Sequence, residues 1–283
     1  MAPGGAWPND SVWTDVLSLS DASAVASGLR DAERTGASVA NPTSVFPTLD
    51  WVGARLIAQQ RDRLRRNDGD AQIGYKLGWT SAAMREALGI DRPNWGTLWA
   101  SQRLEGQLDC GRLRHPKVEP EIVYIASRPL EGEAVDAQDV IDAARGWALG
   151  IEVVHPRFAS YDFTWLDNTA DNSSAGAIAV GSSAALDIDP AAVDICFGDG
   201  DDERRGDGAR AMGSPAEAVA WLVRSLSAEG IGLRAGDIVF TGGLTAPFDV
   251  RVGATYTASS PHLPSVELTG QNHQTERVTA CPE

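Results

Sequence analysis

The spacing of apolar positions changes several times along the chain, and each change predicts an element. Small and apolar residues recur at three- and four-residue spacing across 20–35, which predicts a helix with Ser20 or Asp21 as cap and Gly36 as stop. A proline-punctuated loop covers 41–48. Asp50 then caps a second predicted helix whose stripe is Val52, Leu56, Gln60 and Leu64. Arg55, Arg61, Arg65 and Arg66 lie mostly off that stripe and read as a solvated face near a helix C-terminus, where cations are favoured. IGYKLGW at 73–79 is a short strand with Lys76 opposite Tyr75 and Leu77, and a helix opened by Thr80 or Ser81 follows. Asp136 can cap a helix with Val140, Ala144 and Trp147 as its core stripe. Residues 175–180 form a small-residue strand, 195–211 a hairpin with an acidic tip, and 215–226 a helix with Ala218, Trp221, Leu222 and Leu226 inward. GDIVFTGG at 236–243 is a buried strand ending in a glycine-rich turn, and 248–269 alternate like closing strands. The start, 1–16, is a polar arm with two tryptophans, and the polar tail from Gln271 is expected to be disordered.

Within this pattern three acids stand in apolar, β-branched runs. In HPKVEPEIVYI, Glu119 and Glu121 share one face of a strand, with Cα atoms ~6.6 Å apart. Pro120 between them lacks a backbone donor, which favours an edge or bulged strand. Thirty residues on, GIEVV places Glu152 in a similar run. Three buried acids are costly unless something positive lies among them. A hard divalent cation with oxygen ligands, Mg²⁺ or Mn²⁺, is the simplest compensation. Glu119 and Glu121 on a solvent-facing strand, with Glu152 at a turn, is the other arrangement that these residues allow.

Composition narrows the partners. The 283 residues carry a formal charge of −15, with pI near 4.6, which disfavours nucleic acid and anionic membrane surfaces. The same field slows an anionic substrate, so a pocket for an acid must be positive locally. Cys110, Cys196 and Cys281 form no C-x-x-C pair, so neither a disulfide framework nor a zinc site is suggested. No apolar run approaches ~20 residues and no signal pattern opens the chain, so the cytoplasm is the expected compartment. Of 24 basic residues only Lys76 and Lys117 are lysines. Where Lys persists in such an Arg-biased background, its compact, titratable ammonium is a candidate for function.

HPKVEPEI followed at this distance by IEVV resembles the metal motif of the fumarylacetoacetate hydrolase superfamily, specifically its 2-keto-4-pentenoate hydratase / 4-oxalocrotonate decarboxylase branch. YKLGWTS, RPNWG, TADNSS and GDIVFTG resemble further strings of that family in order, so the likeness spans nearly the whole chain. It implies an α+β fold, a mixed curved β-sheet roll or sandwich with surrounding helices. An arm (1–16) would precede an N-terminal mainly helical part (17–100), a catalytic β-rich domain (101–270) and a tail (271–283), commonly in a homo-oligomer. It implies Glu119, Glu121 and Glu152 as ligands of one Mg²⁺ or Mn²⁺. Lys76 reaches the active site, Asp171 and Asn172 buttress it, and Ser174 lies close to substrate. Arg157 and Thr241 are candidates to bind a small 2-oxo or 2-hydroxydienoic acid.

Four positions depart from the family pattern. Trp79 stands where Leu is usual, and Asn94 replaces, in a loop, an Asp used in proton handling. Trp95 and His155 are the others, all four expected near the pocket. The implied activity is that of a metal-dependent lyase, foremost a hydratase acting through a stabilised enolate. Since an amide is no general base, Asn94 keeps a decarboxylase in view. An acylpyruvate hydrolase would need a Glu–His pair that is not located here. A diverged secondary-metabolism enzyme and a non-catalytic partner subunit complete the alternatives.

Overall fold

The computed structural model describes residues 17–183 and 187–272. The expected arm, and the tail from residue 273, lie outside them. Ser18 accepts the Asp21 N–H and starts α1 (Leu19–Thr35), which Gly36 ends at φ 72°, the left-handed conformation that glycine adopts without steric cost. After the single turn of α2 (Pro42–Val45), Asp50 caps α3 (Trp51–Asn67) by accepting the Gly53 N–H. Such a cap contributes about 1 kcal/mol.

The buried face of α3 is not the predicted stripe. Val52 is 69% exposed, whereas Arg55, Arg61 and Arg65 are buried beside Ile57 and Ala58. The arginines turn inward because acids from distant parts of the chain await them. Arg55 pairs with Glu229, Arg61 with Glu33 and Asp171, and Arg65 with Glu33 and Asp70.

Two mixed sheets follow. Their strands are β1 (Gln72–Gly78), β2 (Asn94–Trp99), β3 (Gln107–Asp109), β4 (Lys117–Ala126), β5 (Ala144–Val154), β6 (Ala175–Val180), β7 (Asp194–Gly198), β8 (Glu203–Asp207), β9 (Ile238–Phe240), β10 (Phe248–Asp249), β11 (Thr255–Ser259) and β12 (Val266–Gln271). The larger sheet runs β2-β1-β9-β4-β5-β6 with β10 also on β4, and the smaller runs β3-β12-β11-β7-β8. The connecting helices are α4 (Ala82–Leu88), α5 (Ala137–Asp142), α6 (Trp165–Ala170) and α7 (Pro215–Ser227). The fold is α+β, a curved mixed sheet with helices around it. β1 and β2 belong to the large sheet, so that sheet crosses the expected division at residue 100. Asn94 opens a strand instead of lying in a loop, and Gln271 closes one.

The large sheet separates two environments. Val118, Ile122 and Tyr124 of β4 join Trp147, Leu149, Ile151 and Val153 of β5 in the main core, with α7 and the second sheet. The alternate residues, Glu119, Glu121 and Val123, face the other way. One expectation fails here. Ala144 and Trp147 have helical spacing after Val140, yet α5 stops at Asp142 and both residues enter β5, which pairs with β4 from Ala126↔Ala144 to Lys117↔Val154. Pro120 sits in a strand that is central in the sheet, bulged against β5 at Ile125/Ala126, and without a strand neighbour at this residue on its other side. Its neighbour on one side is Ile151, and its carbonyl accepts the Leu244 N–H from the loop between β9 and β10. Its missing N–H therefore falls where no strand requires it.

Candidate metal centre

Register brings the three acids together. Glu119 pairs directly with Glu152 across β4 and β5, and Glu121 lies opposite Gly150 on the same face. One carboxylate oxygen from each lies within 4.8 Å of the others. Glu121 is 0% and Glu152 1% exposed. Glu121 Oε2 accepts the Gly242 N–H at 2.6 Å, but Glu121 Oε1 and both Glu152 oxygens have no hydrogen-bond donor. Lys76 Nζ lies 3.1 Å from Glu152 Oε2, near enough for charge attraction though not aligned as a hydrogen bond.

Three acids against one lysine is an unbalanced set. Burial, then the charge of Glu152, pushes the Glu119 carboxyl up to about 7, against the opposing pull of Lys76 and Lys117. The same two causes raise Glu121 well above the carboxylate range. Orphaned, buried, all-oxygen donors of this kind fit a hard divalent cation. The glycine turn after β9 closes the cluster from one side, and a Cβ on Gly243 would collide with the Glu119 carboxylate.

Lys76 is aimed by a strained turn. Asn172, Ser173 and Ser174 have φ of 56°, 52° and 54°, a left-handed run costing non-glycine residues roughly 1–2 kcal/mol each. Asn172 holds the turn to β2, accepting the Thr97 N–H at 2.7 Å and donating to the Thr97 carbonyl at 2.9 Å. Lys76 Nζ then donates to the Ser173 carbonyl at 2.9 Å and to Ser173 Oγ at 3.2 Å. Ser173 Oγ donates onward to Asn94 Oδ1, and the Asn94 amide donates to Asn168 Oδ1 and Thr169 Oγ1. Trp79, at φ 59°, donates its indole N–H to the same Asn168 oxygen, and Asn168 donates to Ser174 Oγ. Asn94 is thus sealed, with 0% exposure, in a network that its amide orients.

The other candidates lie around this centre. Arg157 is 1% exposed and gives its Nε to Asp171 Oδ1 at 2.6 Å, with its remaining guanidinium contacts to the Asp171 and Ala175 carbonyls. It pins the 172–174 turn and has no free fork for a ligand. His155 Nε2 accepts the Arg114 N–H, and burial followed by the Arg157 charge lowers its pKa to about 4. Its imidazole is therefore neutral and tied to the loop before β4. Thr241 is fully buried, and its hydroxyl donates to the Ile122 carbonyl. Trp95 departs from expectation. It faces the main core from β2, beside a separate cavity of about 650 Å³ between α3 and α7 that is walled by Trp51, Trp95 and Trp221. Lys117 shares a face with the acids but pairs with Asp249 at 2.6 Å.

Sequence reasoning missed Ser173, Asn168 and Gly242. TADNSS contains both serines, but only a turn outside the regular periods determines which hydroxyl meets Lys76.

The fumarylacetoacetate (FAA) hydrolase C-terminal family profile matches residues 59–269. The chain is 36% identical to a 2-keto-4-pentenoate hydratase of Burkholderia vietnamiensis, over 89% of this chain and 99% of the relative. It is 30% identical to a 4-oxalocrotonate decarboxylase of Pseudomonas putida, over 86% and 94%. Among solved structures it superposes on 4-oxalocrotonate decarboxylase from Pseudomonas putida G7, complexed with magnesium and adipate, with TM-score 0.87 and 28% identity, covering 91% of this chain and 100% of that one. A second structure of that decarboxylase, complexed with calcium and acetate, gives 0.85.

Proposed function

The chain belongs to the fumarylacetoacetate hydrolase family, and on that premise we propose that it is a divalent-metal-dependent lyase hydrating a 2-hydroxydienoic acid of the 2-keto-4-pentenoate type. The observation that carries the proposal is the Glu119–Glu121–Glu152 cluster, in which Glu121 and Glu152 are buried, three carboxylate oxygens lack donors and a lysine lies beside them. Mg²⁺ or Mn²⁺ held by these residues would supply Lewis-acid polarisation of the oxygens of an oxo acid. Lys76, fixed by the Ser173 carbonyl and hydroxyl, is the residue we assign to orient the acid's carboxylate or move the proton during tautomerisation. Asn94, Asn168 and Ser174 hold the turn that aims it, and Arg157 with Asp171 holds that turn from behind. Assembly as a homo-oligomer is part of the same proposal.

Decarboxylation is the second reading, and one observation favours it. At position 94 an amide stands with both its hydrogens donated, so no carboxylate base is available there to activate water. Product analysis separates the two. Purified protein with added Mg²⁺ is expected to convert a 2-hydroxypentadienoate to the 4-hydroxy-2-oxo acid. Release of carbon dioxide from a 2-oxo-dicarboxylate instead would select the decarboxylase. Turnover of neither would identify a non-catalytic partner subunit.

A further inference from the structure

We propose that Lys117 selects the far end of the substrate by receiving a second carboxylate on an acid whose first carboxylate lies at the glutamate cluster. The inference rests on the metal-held acid of the proposed function and takes its second reading, in which the substrate is a dicarboxylate. Lys117, Glu119 and Glu121 occupy alternate positions of β4 and so share a face, with Lys117 one pleat repeat, ~6.6 Å, beyond Glu119. The two lysines of the chain thus stand at opposite ends of one acidic patch. Lys76 is at its floor, with a side chain 5% exposed, and Lys117 is at its rim, 28% exposed.

The surroundings of Lys117 leave it free to serve a ligand. Its partner Asp249 has a side chain 80% exposed, and an ion pair with so solvated an acid holds weakly. Its Nζ also lies 5.1 Å above the ring of Tyr161, whose hydroxyl is tethered to the His115 carbonyl, so an aromatic wall supports the ammonium. In a chain of net charge −15, a dianion approaching three acids gains from a cation at the entrance. Arg157 cannot fill this role, since its guanidinium is bonded to Asp171 and Ala175.

Titration calorimetry of the full-length, Mg²⁺-loaded protein with adipate and with hexanoate, which differ in the terminal carboxylate, tests the proposal. Wild type is expected to bind adipate roughly tenfold more tightly, the worth of about one charge-assisted hydrogen bond. Lys117→Met should bring the two acids to within about twofold, the scale of a screened surface charge. Asp249→Asn, which frees Lys117, should widen the preference. Equal affinities in wild type, or an undiminished adipate preference in Lys117→Met, would overturn the assignment of Lys117 while leaving the metal-site function standing. Failure of both acids to bind the Mg²⁺-loaded protein would instead overturn the placing of the first carboxylate at the glutamate cluster, and the tail site with it.

Discussion

Around Glu33 and Asp171, arginines 30, 61, 65 and 157 meet one half-buried and one buried acid, and apart from Arg61 Nε the buried polar atoms find partners. Around Glu152, three acids meet one lysine and three carboxylate oxygens find none. Both clusters are buried and both are assembled from distant parts of the chain, so depth alone does not distinguish them. Completion does. Burial would raise the Glu33 carboxyl, but Arg61, Arg65, Arg157 and Arg30 outweigh it and bring it down to about 2. Burial raises Glu119 to about 7, and the adjacent Glu152 adds to the rise. A closed set of charges holds elements together, whereas an open set is left for something that arrives later.

The sharpest way to break this contrast is to remove one member of the closed set. Arg157→Met leaves Asp171 buried without its principal partner and is expected to cost about 3–5 kcal/mol in urea unfolding. A loss below about 1 kcal/mol, the range of an exposed pair, would show that the set is not closed. Acid should act on the same region. The Glu33 pKa is about 2 in the folded protein against 4.5 unperturbed. Because it is depressed on folding, the stabilisation is fully present above pH ~4.5 and is lost as pH falls toward 2. It amounts to roughly 3 kcal/mol. The stability gap between wild type and Glu33→Gln should therefore narrow through that window, and a gap constant with pH would contradict the assignment.

The open set should respond in the opposite sense. Mg²⁺ at a hundredfold excess over its dissociation constant should stabilise wild type by about 2.7 kcal/mol. Glu121→Gln should abolish that gain yet be no less stable than wild type without metal, since its amide can donate to the orphaned oxygens of Glu152. A metal-free Glu121→Gln protein that melts well below wild type would remove the distinction. Mg²⁺ binding should also release more protons at pH 6 than at pH 8, because Glu119 is still protonated at the lower value. Calorimetry in buffers of different ionisation enthalpy reads this directly. The smallest expected effect joins the two regions. Asn94→Asp removes the donors to Asn168 and Thr169 and should cost about 1–2 kcal/mol, with the loss seen in thermal melts.

The acidic strands were legible because their signal is local. Alternation in β4 put Glu119 and Glu121 on one side, and the caps Asp50 and Gly36 marked helix ends through short-range hydrogen bonding and backbone freedom. The arginines of α3 were not legible. A polarity pattern assigns every guanidinium to water, and the acids that draw Arg61 and Arg65 inward come from α1, the 68–71 turn and the end of α6. Ala144 and Trp147 misled for a related reason, since pairing along all of β4 overrode a helical spacing that was real in the sequence. The buttress around Lys76 escaped because a left-handed turn at 172–174 follows neither period, so TADNSS could suggest the neighbourhood but not the orientation of its hydroxyls.

Pro120 has a consequence for how such a centre can exist inside a sheet at all. β9 covers β4 from Val123 and β10 covers it to Val118, and between them the ladder is interrupted. An uninterrupted neighbouring strand there would have carried its own side chains across the acidic face and sealed it. A residue without an amide hydrogen offers no donor for that repair, and the place is taken instead by the 241–244 loop, whose Thr241 and Leu244 N–H groups bond the Ile122 and Pro120 carbonyls while the Gly242 N–H reaches the Glu121 carboxylate.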